Sequence, residues 1–330
     1  MVQELQIGGT RFPAEPKEEK IGGQDGAQYA GGFCRDPHAK ALSMIGGLDH
    51  VVVLLEDIGK GRAAYQTLLG RAPSWQNSGD GADSVLFTLE NMTLELMAPS
   101  GHGTAADHIR DVIKASGEGL ASLCFRTDGM AKMHRRLDRV ALKPEAVVEV
   151  ESRDAISGAT LHWKRTRAST DLTRGVRMFF LELSAARPRS AAAAEAAVLG
   201  LDHVVISTED PERAAALYGA RLGLDMALDR THQDWGQLMF FRCGDLIVEV
   251  VRRPGSGGDI THDKLWGLSW RVADIDAARA RLLGSGIDVS EVRIGRKPGT
   301  RVMSVRSGTC GIHTLFLERT AQAAGLGQSV

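Results

Sequence analysis

The chain has 330 residues, 43% of them hydrophobic and 25% charged, with a formal net charge of −1. This length exceeds one typical core and predicts two domains, and the near-neutral charge argues against nucleic-acid or anionic-membrane binding. The sequence shows neither a secretion signal nor an apolar run near the roughly 20 residues of a spanning helix. Its four cysteines lack a Cys-x-x-Cys pair, which is typical of reduced thiols. We therefore expect a cytoplasmic protein without nucleic-acid or membrane partners.

A stretch that occurs twice organises the chain. Residues 1–45, rich in Gly, Lys, Glu and Pro, are expected to be an N-terminal arm. Residues 47–57 then read Gly-Leu-Asp-His-Val-Val-Val-Leu-Leu-Glu-Asp, and residues 200–210 read Gly-Leu-Asp-His-Val-Val-Ile-Ser-Thr-Glu-Asp, with eight of eleven positions identical. A match of this length indicates an internal duplication, and each copy carries one histidine, His50 or His203.

The first copy reads as strand, helix and three strands, followed by the same order again. A helix is predicted over 57–69, ending before Gly70, and a second amphipathic helix over about 128–140. A short helix is expected within 100–118. The strands are predicted at 47–55, near 72–77 (a weak signal), 84–90, 92–98, 120–126, 146–151, 159–165 and 176–183.

An Ala-rich connector with a proline separates the two copies and is the best domain boundary in the chain. We therefore predict a first domain at 46–185, a linker at 186–198, a second domain at 199–320 and a C-terminal tail at 321–330. The second domain repeats the order of elements, with one helix capped by Asp210 and another by Asp274. Its strands are predicted near 200–208, 224–230, 236–243, 245–252, 265–272, 288–293, 301–307 and 312–319.

Four βαβββ units in two pairs resemble the vicinal oxygen chelate superfamily, which includes glyoxalases, bleomycin-resistance proteins and extradiol dioxygenases. The resemblance covers residues 46–320. It implies an α+β fold in which paired βαβββ modules form two open half-barrel sheets. It also implies a divalent metal bound by side chains from several strands.

The resemblance assigns ligands by their place in the strands. The first-strand ligand corresponds to a histidine, the fourth-strand ligand to a glutamate in an apolar run, and the eighth-strand ligand to a glutamate that also serves as catalytic base. A carboxylate within an apolar strand is costly unless compensated, which agrees with metal binding. In the second half these residues are His203, Glu249 and Glu318, and in the first half they are His50, Glu95 and Glu182. The resemblance favours the second half, since the C-terminal pair of modules holds the metal in four-module relatives.

The fifth strand departs from the family pattern. The family usually has a histidine there, and the alignment places Ser122 and Gly267 at that position. Each half would supply three ligands, one imidazole and two carboxylates. This set suits Mn, Mg, Zn, Ni or Co better than it suits the Fe(II) of dioxygenases, which is bound by two histidines and one carboxylate.

The predicted function is a metal-dependent glyoxalase-like isomerase or lyase that acts on a small substrate with vicinal oxygens through an enediolate-type intermediate. Arg301, Trp235 and His232 are candidate substrate-binding residues. An extradiol-type dioxygenase with Fe and a non-catalytic small-molecule binding or resistance protein are the alternatives. The expected partner is a small-molecule substrate, and the chain is either a monomer or a homodimer.

Overall fold

The computed structural model describes residues 44–234, 236–255 and 261–319. The predicted N-terminal arm (apart from its last two residues) and the C-terminal tail therefore lie outside the described residues. No helix within the described ranges is long and apolar enough to cross a membrane.

The first half of the chain forms eight strands and three helices. The strands are β1 (Ile45–Leu54), β2 (Trp75–Gly79), β3 (Ala82–Thr88), β4 (Thr93–Pro99), β5 (Gly119–Thr127), β6 (Val148–Arg153), β7 (Thr160–Arg167) and β8 (Arg177–Leu183). The helices are α1 (Ile58–Leu69), α2 (Thr104–Ser116) and α3 (Met130–Arg139). The weak prediction near 72–77 corresponds to β2.

The second half repeats this series without a counterpart of α2 among the described residues. Its strands are β9 (Gly200–Ser207), β10 (Asp225–His232), β11 (Gly236–Cys243), β12 (Leu246–Arg252), β13 (Lys264–Arg271), β14 (Arg293–Ile294), β15 (Thr300–Val305) and β16 (His313–Arg319). Its helices are α4 (Pro211–Ala215), continued by a π-helical turn over Ala216–Arg221, and α5 (Ile275–Gly284).

Local chemistry fixes the helix ends where the sequence predicts them. The Asp57 side chain accepts from the Lys60 amide at the start of α1, and Gly70 ends this helix in the left-handed conformation at φ 63°. Asp210 and Asp274 cap α4 and α5 in the same way. β14 is shorter than the predicted 288–293, because only a two-residue ladder forms with β15.

Each half forms one mixed eight-stranded sheet. The strand order is β2-β3-β4-β1-β5-β8-β7-β6 in the first sheet and β10-β11-β12-β9-β13-β16-β15-β14 in the second. Antiparallel pairing of β1 with β5, and of β9 with β13, joins two βαβββ modules into each sheet. The predicted α+β fold with paired modules is confirmed.

One hydrophobic core lies between the two halves. Helix residues such as Leu68 and Leu282 and strand residues such as Phe180 and Phe316 belong to it, all fully buried. Each sheet therefore has a core face and an opposite face, which we call the inner face. The predicted linker packs on the first half, where the Thr88 amide donates to Ser190 Oγ at 3.0 Å. The exact domain boundaries stay a prediction.

The two inner faces differ in enclosure. In the first half the outermost strands β2 and β6 meet, since Trp75 Nε1 donates to Ser152 Oγ at 2.9 Å and the Gln76 amide donates to Asp154 at 2.8 Å. Helix α2 also packs Ile109 onto the inner-face residues of β1. The first sheet is therefore a nearly closed half-barrel, whereas β10 and β14 end the second sheet on opposite sides.

Candidate functional site

The two repeated histidines lie on the central strands of the two sheets and face inward. Because Val51 packs in the shared core and strand side chains alternate, His50 projects from the inner face of β1. The parallel neighbours β4 and β12 bring a glutamate beside each histidine. His50 Nε2 lies 3.2 Å from Glu95 Oε2, and His203 Nε2 lies 3.2 Å from Glu249 Oε2.

A β-bulge at each histidine brings in a second carboxylate. In the first sheet Leu48 pairs with Phe125 and His50 pairs with Cys124, which leaves Asp49 as the extra residue. A bulge changes the direction in which side chains point, so the side chains of the consecutive residues Asp49 and His50 contact each other. His50 Nδ1 donates to Asp49 Oδ1 at 2.7 Å.

The second sheet contains the same irregularity. Leu201 pairs with Trp270 and His203 pairs with Ser269, which leaves Asp202 between them. His203 Nδ1 lies 3.1 Å from Asp202 Oδ2. The bulge therefore belongs to the repeat, and its signal in the sequence is the Asp-His pair present in both copies.

An arginine also contacts each of these aspartates. Arg187 bonds Asp49, and Arg319 Nη2 lies 2.5 Å from Asp202 Oδ1. Burial would raise the pKa of Asp49, but His50 and Arg187 outweigh it and lower that pKa to about 2. The pKa of Asp202 is also lowered, because its histidine and arginine neighbours outweigh burial. Both carboxylates therefore accept hydrogen bonds and fix the imidazole orientation.

The neighbours of the first histidine favour its protonated form. Burial lowers the pKa of His50, but Cys124, Asp49 and Glu95 outweigh it and raise that pKa well above its ordinary value. Burial also opposes ionisation of Glu95, yet His50 keeps the Glu95 pKa below its ordinary value. The first half thus contains a largely buried cluster of ionisable groups, in which His50 is 7% exposed and the Glu95 side chain 18% exposed.

The residues opposite the histidines are Cys124 and Ser269, which the sequence analysis did not select. Ser269 Oγ lies 2.6 Å from His203 Nε2. The predicted fifth-strand positions, Ser122 and Gly267, lie two residues earlier along β5 and β13. A Cβ at Gly267 would lie 2.7 Å from the His313 carbonyl oxygen, so the approach of β16 explains the glycine.

The structure corrects the assignment of the eighth-strand glutamates. Glu182 and Glu318 lie on the core face, two residues after Phe180 and Phe316. Glu182 Oε2 accepts from the Met130 amide at 2.6 Å, at the start of α3, and Glu318 Oε2 accepts from the Ile275 amide at 2.9 Å, at the start of α5. They complement helix N-termini and do not join the histidines.

Apolar residues occupy the corresponding inner-face positions. Phe179 pairs with Cys124 on β5, and Leu315 pairs with Ser269 on β13. No third carboxylate therefore approaches either histidine from the eighth strand.

Of the candidate substrate-binding residues, Arg301 lies away from the inner face, whereas the register of β10 and β11 puts His232 on the inner face of the second sheet, at the end of β10. Arg301 binds Asp276 at 2.8 Å and Glu318 at 3.4 Å, beside the N-terminus of α5. His232 lies at the end of β10, with Nδ1 3.7 Å from Asp234 Oδ2. Trp235 lies outside the described residues. Arg301 is therefore part of a surface ion pair on the helix side and does not line an inner face.

The donors on each inner face fall short of a resident divalent cation. Only one carboxylate stands beside the Nε2 atom of each histidine, as Glu249 does beside His203, because Asp202 contacts Nδ1 and the eighth-strand position is Leu315. Within the described ranges no three His, Cys, Asp or Glu side chains come together as a metal-binding group. Bound metals of the glyoxalase or dioxygenase type are usually held by three protein ligands. The donor set does not fit such a cation, and the predicted set of three ligands in each half is not formed.

Comparison with family models supports the fold on sequence grounds. Residues 48–218 match the glyoxalase-like domain, and residues 202–303 match the glyoxalase/bleomycin resistance protein/dioxygenase superfamily. A comparison with curated proteins finds no match.

Several solved structures share the architecture. A variant of 4-hydroxymandelate synthase from Streptomyces coelicolor superposes with a TM-score of 0.62 at 14% identity, covering 83% of this chain and 93% of that one. A catechol 2,3-dioxygenase gives 0.58 at 14% identity, covering 84% of this chain and 89% of that one. The Mn(II)-bound glyoxalase from Novosphingobium aromaticivorans gives 0.57 at 13% identity, covering 84% and 83%.

At these identities the structural similarity concerns the fold alone, while the family models match the sequence itself. The glyoxalase-like model spans half of the chain and includes both Asp-His pairs, Asp49-His50 and Asp202-His203. The chain therefore belongs to the vicinal oxygen chelate superfamily of glyoxalases, bleomycin-resistance proteins and dioxygenases.

Proposed function

We propose that the chain is an isomerase or lyase that moves a proton on a small organic substrate with oxygen atoms on adjacent carbons. The reaction takes place on the inner face of the second half, with His203 and Glu249 as the proton-transfer pair. One observation carries this proposal: His203 Nε2 lies 2.6 Å from Ser269 Oγ and 3.2 Å from Glu249 Oε2, while Nδ1 contacts Asp202. This chain of groups suits general acid–base catalysis.

The second half is favoured because its inner face is the more open one. The first half closes its sheet through Trp75 and Ser152 and covers part of the inner face with α2. His203 has a side-chain exposure of 18%, against 9% for His50. A substrate therefore has easier access to His203.

Cationic groups beside the second site favour an anionic substrate. The Arg253 guanidinium lies 3.8 Å from the centre of the Trp266 ring, and Trp266 stacks on His313 at 4.2 Å. Burial lowers the pKa of Arg253 and of Arg296, while the charge of Glu249 acts on both in the opposite direction. Two guanidinium groups within the field of Glu249 would attract a carboxylate or phosphate on the substrate.

The proposed step uses side chains of this chain alone. The Glu249 carboxylate takes a proton from the carbon next to a carbonyl, and the electron pair of the broken C–H bond moves to the carbonyl oxygen. Ser269 donates a hydrogen bond to that oxygen as its charge develops, and the unprotonated Nε2 of His203 accepts one from the neighbouring substrate hydroxyl. Glu249 then returns the proton to the former carbonyl carbon, and the proton of the neighbouring hydroxyl moves through His203 Nε2 to the other oxygen, which completes an isomerisation. In a lyase reaction the enolate instead re-forms the carbonyl and expels a leaving group, with its bonding electrons, from the carbon on the other side of the deprotonated one.

Exchange of substrate hydrogen with solvent tests this proposal. The chain would be incubated in D₂O with a panel of 2-hydroxycarbonyl compounds, and C–H exchange would be followed by NMR. Glu249→Gln and His203→Gln should slow exchange by about 10²-fold or more. The matched first-half variants, Glu95→Gln and His50→Gln, should exchange at the same rate as the parent chain.

Elemental analysis separates this mechanism from the metal-dependent one implied by the family resemblance. Protein purified without chelators or a metal-affinity tag should contain much less than one divalent cation per chain, and EDTA should not reduce exchange. Stoichiometric metal, with activity that disappears on chelation and returns with the cation, would overturn the proposal. Ligand binding without exchange would support the non-catalytic binding alternative instead.

A further inference from the structure

We propose that the first half contains a separate binding site for a small oxyanion, formed by Arg165 and Arg177 on the inner face of β7 and β8. Both guanidinium groups lie over the ring of Phe179, at 5.2 Å and 5.8 Å from its centre. Both guanidinium groups therefore neighbour the same aromatic ring on the inner face, and the charge of Arg165 acts on Arg177. This proposal does not depend on catalysis at His203.

The positive charge at this point exceeds the negative charge around it. Arg167 stands beside the pair and is bound to Glu145. Within the described part of the chain, no carboxylate lies within 4.0 Å of Arg165 or Arg177, although Cys124 and Glu145 act on Arg177 in the opposite direction. Burial lowers the pKa of Arg177, and the charges of Arg167 and Arg165 lower it further. A bound anion would relieve this repulsion.

Arg177 also has a hydrogen-bond donor that no described residue satisfies. Its Nε is buried without a partner among the described residues. Its Nη1 lies 2.5 Å from Nε2 of His108 on α2. Burial, with the charges of Arg177 and Arg167, lowers the pKa of His108, so the neutral ring accepts this bond. One edge of the guanidinium is thus fixed by His108, and the buried Nε calls for an acceptor oxygen.

The surroundings define the chemical class of the ligand. A carboxylate, phosphate or sulfate group matches the paired N–H donors of a guanidinium. Phe179 and Leu181 form an apolar floor, against which Ile109 of α2 also packs, so the anionic group can belong to an organic molecule. His108 is exposed, which leaves a route from solvent beside α2. The second half has no described counterpart of this helix.

Calorimetric titration of the full chain tests the site. The probes are inorganic phosphate, sulfate, acetate and benzoate at low ionic strength. We expect saturable binding of one anion per first-half site, weakened at least tenfold by Arg177→Gln and by Arg165→Gln. Arg177→Lys keeps the charge but lacks Nε and should bind with intermediate affinity. Benzoate binding better than acetate would identify an organic anion as the ligand, and phosphate or sulfate binding best would identify an inorganic one.

Matched controls separate this site from the proposed catalytic one. Arg306→Gln removes an exposed arginine paired with Asp288 in the second half and should not change binding. His203→Gln should also retain anion binding, so the anion-site proposal can hold even if the catalytic proposal fails. An NMR signal of the His108 ring should shift on titration of the parent chain. The inference is overturned if no probe binds saturably, or if Arg165→Gln and Arg177→Gln both bind as the parent does.

Discussion

Asp202 lies directly before His203 in the chain, yet its Oδ2 is 3.1 Å from the Nδ1 of that same histidine. Consecutive side chains of a regular strand point to opposite faces, so this contact depends on the bulge opposite Ser269 and Trp270. The first half repeats the relationship between Asp49 and His50. The Asp-His pair is therefore a unit that the duplication preserved.

Asp202→Asn should disturb the tautomer of His203 more than it disturbs the fold. The carboxylate accepts from Nδ1, which leaves Nε2 to face Ser269 and Glu249. An amide in its place can present its NH₂ group and favour the other tautomer. Nitrogen-15 NMR of the ring should show the change, and proton exchange on substrate should fall by about 10²-fold. An unchanged ring signal and an unchanged rate would contradict this role for Asp202.

Glu318→Gln should leave proton-transfer chemistry unchanged and lower stability slightly. The side chain accepts from the Ile275 amide and contacts Arg301 at the N-terminus of α5. Glutamine can still accept the first bond but loses the charge, which costs about 0.5–1 kcal/mol at a helix N-terminus. Denaturant unfolding measures the change in the free energy of unfolding. A large fall in turnover without a change in stability would restore Glu318 as the base. Glu182→Gln is the matched variant in the first half.

Ser152→Ala should loosen the closure of the first sheet. Its hydroxyl accepts from Trp75 Nε1 at 2.9 Å and from Asn77 Nδ2 at 3.1 Å. Removing it leaves two donors with one fewer acceptor, and we expect a loss of about 1–2 kcal/mol in the free energy of unfolding. Tryptophan fluorescence during urea unfolding reports it. Ser184→Ala removes an exposed hydroxyl that donates to the His162 carbonyl and should cost less.

Gly267→Ala should destabilise the second sheet although Gly267 has no left-handed backbone. A Cβ there would lie 2.7 Å from the His313 carbonyl oxygen, so β16 must move. Overpacking of this kind costs about 1–3 kcal/mol. Gly79→Ala is the matched control, because nothing lies within 4 Å of its added Cβ. Equal melting temperatures for the two variants would contradict the clash.

Stability should fall above pH 9 in part through Cys243. Burial raises the pKa of this thiol from 9.0 to about 12. Between these values the unfolded chain loses the proton while the folded chain keeps it, so the stabilisation is complete below pH 9 and is lost as the pH rises towards 12. The expected slope is about 1.4 kcal/mol per pH unit for one group.

The comparison of Cys243→Ala with the parent isolates this contribution. Chemical unfolding at pH 8 and pH 10.5 should show a smaller decrease for the variant, because it has no thiol to titrate. The cavity control Val248→Ala removes a buried side chain of similar size without a titrating group and should keep the parent slope. Burial also raises the pKa of Tyr65 and Tyr218, so part of the decrease should remain in both variants.

Most of the fold could be predicted because its signals are local. Asp57, Asp210 and Asp274 cap helices where the sequence indicates, and Gly70 ends α1 in the expected conformation. The β14 region was the exception. A strand was predicted over residues 288–293, but the edge ladder extends over only Arg293–Ile294.

The site was predicted in part, and its errors share a physical cause. Residue spacing correctly placed Glu318 on the same face as Phe316 but could not tell which face of the sheet meets the core. The contact of Asp202 with His203 depends on a bulge that pairing across strands produces. Ser269 reaches His203 through the register of β13, and register is a long-range property that one sequence does not display.

The contact between β2 and β6 also decides how the two halves meet other chains. The edge strands of the first sheet, β2 and β6, contact each other, whereas β10 and β14 are the edge strands of the second sheet within the described residues. Such borders can recruit a strand from another molecule, and short length or charged side chains oppose this. β14 has only two residues, and β10 carries exposed Asp225, Asp229 and Arg230. Openness towards a substrate is thus combined with features that discourage fibril-like self-association.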